Sequence, residues 1–341
     1  MDNFEVTQKL STELHVDKRN HSVYLAPMQK FWLKCSVFVL GLAFVSCIGF
    51  AFFWVPDRSV SDLAVRWASP PSQWITVDGM QVHLRDEGSR TDPEPIVLLH
   101  GTSSSLHTWD GWVQHLVPSR RVIRMDLPAF GLTGSHPNND YAVSAYVQFV
   151  SSVLKALNVH SFVLAGNSLG GHIAWSYAQS KPLEVKKLIL VDAAGYAMQS
   201  RSVPIGFQLA RVPGFSFVLQ HVLPRSVVES SLRNVYGNPT KVSEELIDRY
   251  YDLALRKGNR SALFKRMQTP AIADSSSIAS IKLPVLVLWG GKDQLIPLEN
   301  AYRFASDIRG ATLVVFEGLG HVPHEEDPDL TVKAVQQFLQ R

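Results

Sequence analysis

Cysteine is almost missing from this chain of 341 residues: there are two, Cys35 and Cys47, both inside one apolar segment. A disulfide framework is therefore excluded for everything that follows position 47. No Cys/His cluster has the spacing of a zinc site, and His321-x-x-His324 lacks the carboxylate pattern a metal would need. Neither a metal nor any other cofactor is expected. Charge of one sign is scarce as well. Lys and Arg number 33 against 30 Asp and Glu, a net +3, with no basic block and no aromatic-basic ladder. That balance leaves nucleic acid no electrostatic footprint, so no such partner is expected. What the chain has in quantity is apolar surface, 46% of its residues, enough for one large domain carrying an insertion.

A long stretch without charge runs from Cys35 to Val55. Its 21 residues span ~30 Å as a helix, the hydrocarbon thickness of a bilayer. Trp32 and Trp54 stand near its ends, where interfacial aromatics belong. The apolar run is long for a cleaved signal peptide and no convincing small-x-small site follows it. The segment 35–55 is read as a transmembrane signal anchor behind an N-terminal tail, 1–34. Lys18, Arg19, Lys30 and Lys34 precede it, whereas Arg58 and Arg66 follow. The positive-inside rule then places the tail in the cytoplasm and the rest beyond the membrane. Residues 56–73, with Pro70-Pro71-Ser72, read as a linker.

Beyond the linker, apolar runs and helical patterns alternate. Trp74–Leu84 is a hairpin turning at Asp78-Gly79. Strand-like runs follow at Ile96–Leu99, Arg121–Met125, Phe162–Ala165, Lys187–Val191, Val285–Trp289 and Leu313–Phe316. Helical patterns at Ala142–Leu157, Gly170–Gln179 and Leu298–Asp307 separate them. This rhythm argues an α/β fold with a mainly parallel sheet flanked by helices. It breaks over residues 196–275, which are helical in composition, so the core is expected as 74–195 and 276–341 around an inserted helical cap.

Three chemical groups sit where such a sheet presents ligand-binding residues, just past the carboxyl ends of strands. Ser168 lies in Gly166-Asn167-Ser168-Leu169-Gly170, between an apolar run and a helical one. A Gly-x-Ser-x-Gly in that context is a nucleophile elbow. Asp293 follows the run Val285–Trp289 across Gly290-Gly291, and His321 follows Leu313–Phe316 across a glycine-rich loop. The order Ser, acid, His suits nucleophilic acyl transfer, with His321 as base and Asp293 fixing its tautomer. Asp192 also ends a strand-like run and is the rival acid. An anion site is expected from the N–H of Leu169 together with Thr102, or less simply Ser103, in the early loop His100-Gly101-Thr102-Ser103.

With His100-Gly101, Asp126-Leu127-Pro128-Ala129-Phe130-Gly131, Gly166-Asn167-Ser168-Leu169-Gly170-Gly171, Gly290-Gly291-Lys292-Asp293 and Gly318-Leu319-Gly320-His321, the chain resembles the α/β-hydrolase superfamily. The resemblance runs from Trp74 to the C-terminus. It implies the α/β-hydrolase fold and an inserted cap, preceded here by the single N-terminal transmembrane helix. Serine at the elbow excludes the branches that need a carboxylate there, the dehalogenases and epoxide hydrolases. The layout is similar to membrane-anchored monoacylglycerol lipases, which favours carboxylic esters and lipid esters as substrates. Asn167 beside the serine also occurs in carbon–carbon bond hydrolases of diketone-type ring-cleavage products. A non-catalytic ligand receptor on the same scaffold is the third reading. In the cap, Phe207, Phe215 and Phe217 are candidates for an apolar entrance, and eleven Lys and Arg against six Asp and Glu would suit docking on a lipid surface.

Overall fold

A computed structural model describes residues 31–41, 44, 49, 54–197, 200–210, 220–269 and 275–341. Its centre is an eight-stranded sheet: β1 (Ser72–Val77), β2 (Met80–Glu87), β3 (Ile96–Leu99), β4 (Val122–Met125), β5 (Phe162–Asn167), β6 (Val185–Val191), β7 (Val285–Gly290) and β8 (Thr312–Phe316). The strand order is β1-β2-β4-β3-β5-β6-β7-β8. The hairpin β1–β2 is antiparallel and β2 pairs antiparallel with β4; all remaining pairs are parallel.

Alternation along each central strand explains the two layers of helices. Val97 and Leu99 of β3, and Phe162 and Leu164 of β5, face one apolar core; Ile96, Leu98, Val163 and Ala165 face another. A strand buried on both faces needs apolar residues at every position, so these runs are continuous rather than alternating. The helices, in chain order, are α1 (Val60–Trp67), α2 (Asp110–Leu116), α3 (Val143–Ala156), α4 (Leu169–Ser180), α5 (Ile205–Ala210), α6 (Arg225–Val235), α7 (Glu244–Ala254), α8 (Asn259–Gln268), α9 (Glu299–Asp307), α10 (Pro323–Glu326) and α11 (Pro328–Leu339). Residues of α3, α4 and α9 join the first core, and those of α2 and α11 join the second. Helices α5 to α8 all fall between β6 and β7, in the stretch where the strand rhythm stops.

Two expectations need correction or restriction. Residues 56–73 are not an extended linker. Ser59 caps α1 by accepting from the Asp62 N–H at 3.1 Å, and Leu63 and Trp67, one turn apart, bury against Leu132 and Leu253. Trp67 Nε1 donates to Asp252 Oδ2 at 3.1 Å and Arg58 pairs with the same carboxylate at 2.6 Å. As for the span expected over 35–55, residues 31–41 are helical, and among the described residues no helix is long and apolar enough to cross a membrane. Much of 35–55, with Cys47, lies outside the described residues, as does most of the tail 1–34. The chain divides into residues 1–54 and 55–341, and the sheet belongs to the second unit.

At the end of β4, Asp126 gathers three segments. Its carboxylate accepts from the N–H groups of Leu106 at 2.8 Å and Leu132 at 2.7 Å and lies 2.7 Å from His83 Nδ1. Burial opposes the charge, but His83 beside it, with His100 and His107 nearby, holds the carboxyl well below the usual carboxylate range. Gly131, at φ +53°, is required beside it, because a Cβ there would stand 2.1 Å from Asp126 Cγ. A depressed carboxylate stabilises the fold at neutral pH and loses that contribution as pH falls through its folded value. Asp126→Asn should therefore lower unfolding stability by about 1–3 kcal/mol at pH 7. In denaturant titrations the gap to wild type should close below pH ~4.

Candidate active site

The local fold at Ser168 begins with two close approaches. A Cβ on Gly170 would sit 2.2 Å from the Leu99 carbonyl oxygen of β3, and one on Gly166 would sit 2.1 Å from the Gly170 oxygen. Only glycine lets α4 start so near the sheet. The chain turns between strand and helix at Ser168 itself, with φ +55° and ψ −114°, outside the favoured regions for a residue with a side chain. Strain of this kind persists because its surroundings hold it. The Ser168 N–H donates to Val191 O at 3.1 Å, and its carbonyl accepts from His172 N at 3.0 Å and Ala194 N at 3.1 Å.

His321 reaches the same place from the loop after β8. Its Nδ1 lies 2.7 Å from Asp293 Oδ2, and the two side chains are buried. Asp293 is itself fixed, since Oδ1 accepts from the Leu295 and Ile296 N–H groups at 2.8 and 3.0 Å. The rival acid Asp192 also lies close by: one donor atom each from Asp192, Asp293 and His321 fall within 4.8 Å of one another. Its Oδ1 accepts from the Gly290 N–H at 3.0 Å, while Oδ2 is buried without a hydrogen-bond partner. Burial, then the charge of Asp293, push the Asp192 carboxyl well above the ordinary range. The imidazole contact belongs to Asp293.

Ser168, His321, Thr102, Ser103 and Leu169 line one cavity of about 490 Å³. Leu169 is the first residue of α4, where a helix N–H has no partner within its own helix. Ser103 adopts φ +61° in the loop after β3. His100 holds that loop: the Leu127 N–H donates to its Nε2 at 2.9 Å, so Nδ1 carries the proton and donates to Gly101 O at 2.8 Å. The cap supplies most of the apolar wall, including Val227, Val228, Leu232, Leu263 and Phe264. Phe207 is part of the lining too, whereas Phe215 and Phe217 lie outside the described residues. His107 and Trp109 stand elsewhere. His107 Nε2 donates to Trp67 O at 2.9 Å, and Trp109 stacks on His324 with ring centroids 4.0 Å apart.

Several supports have no sequence signature. Asn167 donates through Nδ2 to Val191 O at 3.1 Å and to His321 O at 3.0 Å, which ties the serine turn to the histidine loop. Glu326 ends the short helix α10. Its carboxylate accepts from Gly320, Gly237 and Asn238 N–H groups at 2.8–2.9 Å, joining the histidine loop to the cap. The cap's basic excess is largely spent. Arg201, Arg225, Arg233, Lys241, Arg249 and Arg260 each pair with a carboxylate.

Known proteins resemble this chain over most of its length. The family model of the alpha/beta hydrolase fold matches residues 94–328. A 2-hydroxy-6-oxo-2,4-heptadienoate hydrolase of Pseudomonas putida is 28% identical over 278 residues, 78% of this chain and 95% of that one. A monoacylglycerol lipase of Xenopus laevis is 26% identical over 289 residues, 78% and 84% of the two chains. Among solved structures, a membrane phospholipase A superposes with TM-score 0.68 at 24% identity, covering 92% of this chain and 98% of that one, which shows a common fold.

The two aspartates can be told apart in solution. Asp293→Asn should lower kcat by about 10⁴-fold, because the amide favours the wrong imidazole tautomer. Asp192→Asn retains an oxygen that accepts from Gly290, and should keep most of kcat. A folded, inactive Asp192→Asn beside an active Asp293→Asn would reverse the assignment.

Proposed function

Since the chain belongs to the α/β hydrolase family, we propose that it is a serine hydrolase that cleaves carboxylic esters, lipid esters among them, through an acyl-enzyme on Ser168. One observation carries this reading. Ser168 stands at a strained turn on the wall of an apolar cavity that also holds His321, whose ring is fixed by Asp293 at 2.7 Å.

With Nδ1 donating to Asp293, the His321 Nε2 is the free base. It takes the Ser168 proton as Oγ attacks the ester carbonyl carbon. The N–H groups of Leu169 and Thr102, with Ser103 as the alternative to Thr102, receive the oxyanion. Collapse of the tetrahedral intermediate expels the alcohol, which leaves with the proton from His321. Water, activated by the same ring, then releases the acid and restores Ser168. Asp293 stabilises the imidazolium at both steps.

The lining favours an apolar acyl group, and Phe207 contributes to it. Phe215 and Phe217 remain proposed parts of the entrance. An anchor over residues 35–55 would keep the site beside a lipid source, and Phe31, Trp32, Leu33, Phe38 and Leu40 all expose apolar side chains. A second reading, carbon–carbon bond hydrolysis, is supported by the likeness to the Pseudomonas hydrolase. A panel of acyl esters, monoacylglycerols, lysophospholipids and a vinylogous diketone separates the two by which bond is cut.

Ser168→Ala should abolish ester turnover and labelling by a fluorophosphonate probe; labelling of that variant at the wild-type level would overturn the nucleophile. For the anchor, the full chain should resist carbonate extraction from membranes, and a chain starting at Val55 should not. Release of the full chain by carbonate would refute the anchor while leaving the chemistry intact.

A further inference from the structure

One wall of the cavity departs from its apolar lining. Helix α8 lays a whole face along it, with Asn259 and Arg260, Leu263 and Phe264, then Arg266 and Met267 at helical spacing. The first two polar residues are committed. Asn259 Nδ2 donates to Gly131 O and Leu253 O, and Arg260 pairs with Asp57. Arg266 has no carboxylate partner among the described residues and reaches only the Tyr146 hydroxyl. Its Nε is buried without a hydrogen bond, and no ion pair of the described residues includes it. Its polar neighbours are the Tyr146 hydroxyl, which donates to Pro128 O, and the ring of His172.

His172 adds an independent observation. It lies on α4 one turn after Ser168, about 6 Å along the helix, and is 4% exposed. Its ring stacks on Trp175 with centroids 5.0 Å apart, and Nε2 is buried without a partner. Burial, and then the Arg266 charge, pull its pKa down to about 4, so the ring is neutral at pH 7 and has one N–H to give. Both residues line the cavity that holds Ser168. A fixed guanidinium and an unsatisfied imidazole in an otherwise apolar chamber are costly unless an anion meets them.

We propose that Arg266 and His172 form an anion subsite, and that the preferred ester carries a carboxylate or phosphate group a short spacer away from its scissile carbonyl. The proposal rests on Ser168 being the acylated residue. The anion accepts from the Arg266 fork and from the His172 N–H, while the rest of that arm lies against Leu263 and Met267. Charge on this wall sets the substrate class; the apolar remainder sets chain length.

The test uses the full chain and matched esters. 4-Nitrophenyl monoadipate is compared with 4-nitrophenyl hexanoate, and the hexanoyl ester of 4-hydroxybutyrate with hexyl hexanoate, so that the charge sits on either arm. A phosphate-terminated counterpart of each distinguishes the two anions. Wild type should favour at least one charged ester by ~10-fold or more in kcat/KM. Arg266→Gln should cut that preference by ~10–100-fold, and Arg266→Lys should restore part of it. Adipate or inorganic phosphate should also bind Ser168→Ala, read by Trp175 fluorescence, and this binding should vanish in Ser168→Ala/Arg266→Gln. Neutral esters cleaved as well as every charged one, with neither adipate nor phosphate bound, would overturn the subsite and leave the esterase reading standing. Anion binding lost with Arg266, in a protein that cleaves no ester, would keep the subsite and overturn the esterase.

Discussion

The distance at which helix α4 can approach strand β3 decides how the edge that carries Ser168 and His321 is arranged. With glycine at 166 and 170, the helix begins against the Leu99 carbonyl, and the link between strand and helix shrinks to Ser168 alone. That residue must then take a positive φ, which costs about 1–3 kcal/mol. The cost is met by hydrogen bonds that only this placement permits. Ser168 N reaches Val191 O, Asn167 Nδ2 reaches both Val191 O and His321 O, and Ala194 N returns to Ser168 O. A side chain at either glycine would push α4 outward and separate the serine from β6 and from the histidine loop together.

The histidine loop depends on the cap in a comparable way. His321 N donates to Val235 O at the end of α6, and a Cβ on Gly320 would stand 2.3 Å from that same oxygen. Glu326 closes the arrangement by accepting from both the loop and the cap. The cap is thus more than a cover over the cavity: its α6 helps fix where His321 stands. Arg249 and Tyr250 of α7 add to this by engaging Glu325, while Tyr250 also reaches Ser104 in the loop after β3. Changes in the cap would therefore be felt at the imidazole as well as in the choice of acyl group.

Much of this architecture is legible in the sequence, for stated reasons. Strands buried on both faces must be apolar throughout, so β3, β5, β6 and β7 announce themselves as Val/Leu/Ile runs. Glycines just beyond them mark the turns that carry Ser168, Asp293 and His321. Helix α1 has apolar residues at helical spacing, Val60, Leu63, Ala64 and Trp67, but spans only eight residues between prolines and charges, which masks it. Arg266 has no sequence neighbour that hints at the cavity, and His172, though one turn after Ser168, gains its meaning only from Arg266, which the fold brings to the same cavity. Glu326 carries no mark of its role in the sequence, because its three amide partners lie 6 to 89 positions away.

Protonation at this edge is equally a property of the fold rather than of residue type. Asp126 and Asp192 each follow a parallel strand, β4 and β6, and both are fully buried. Desolvation alone would make both neutral. Asp126 instead meets His83 and two backbone donors and stays charged, so it can organise the turn that positions Leu127 against His100. Asp192 meets one backbone donor and a second carboxylate, and its carboxyl is pushed up. A negative Asp192 would compete with Asp293 for the imidazole and raise the repulsion between them. With its carboxyl pushed up, Asp192 leaves the His321 Nδ1 contact to Asp293.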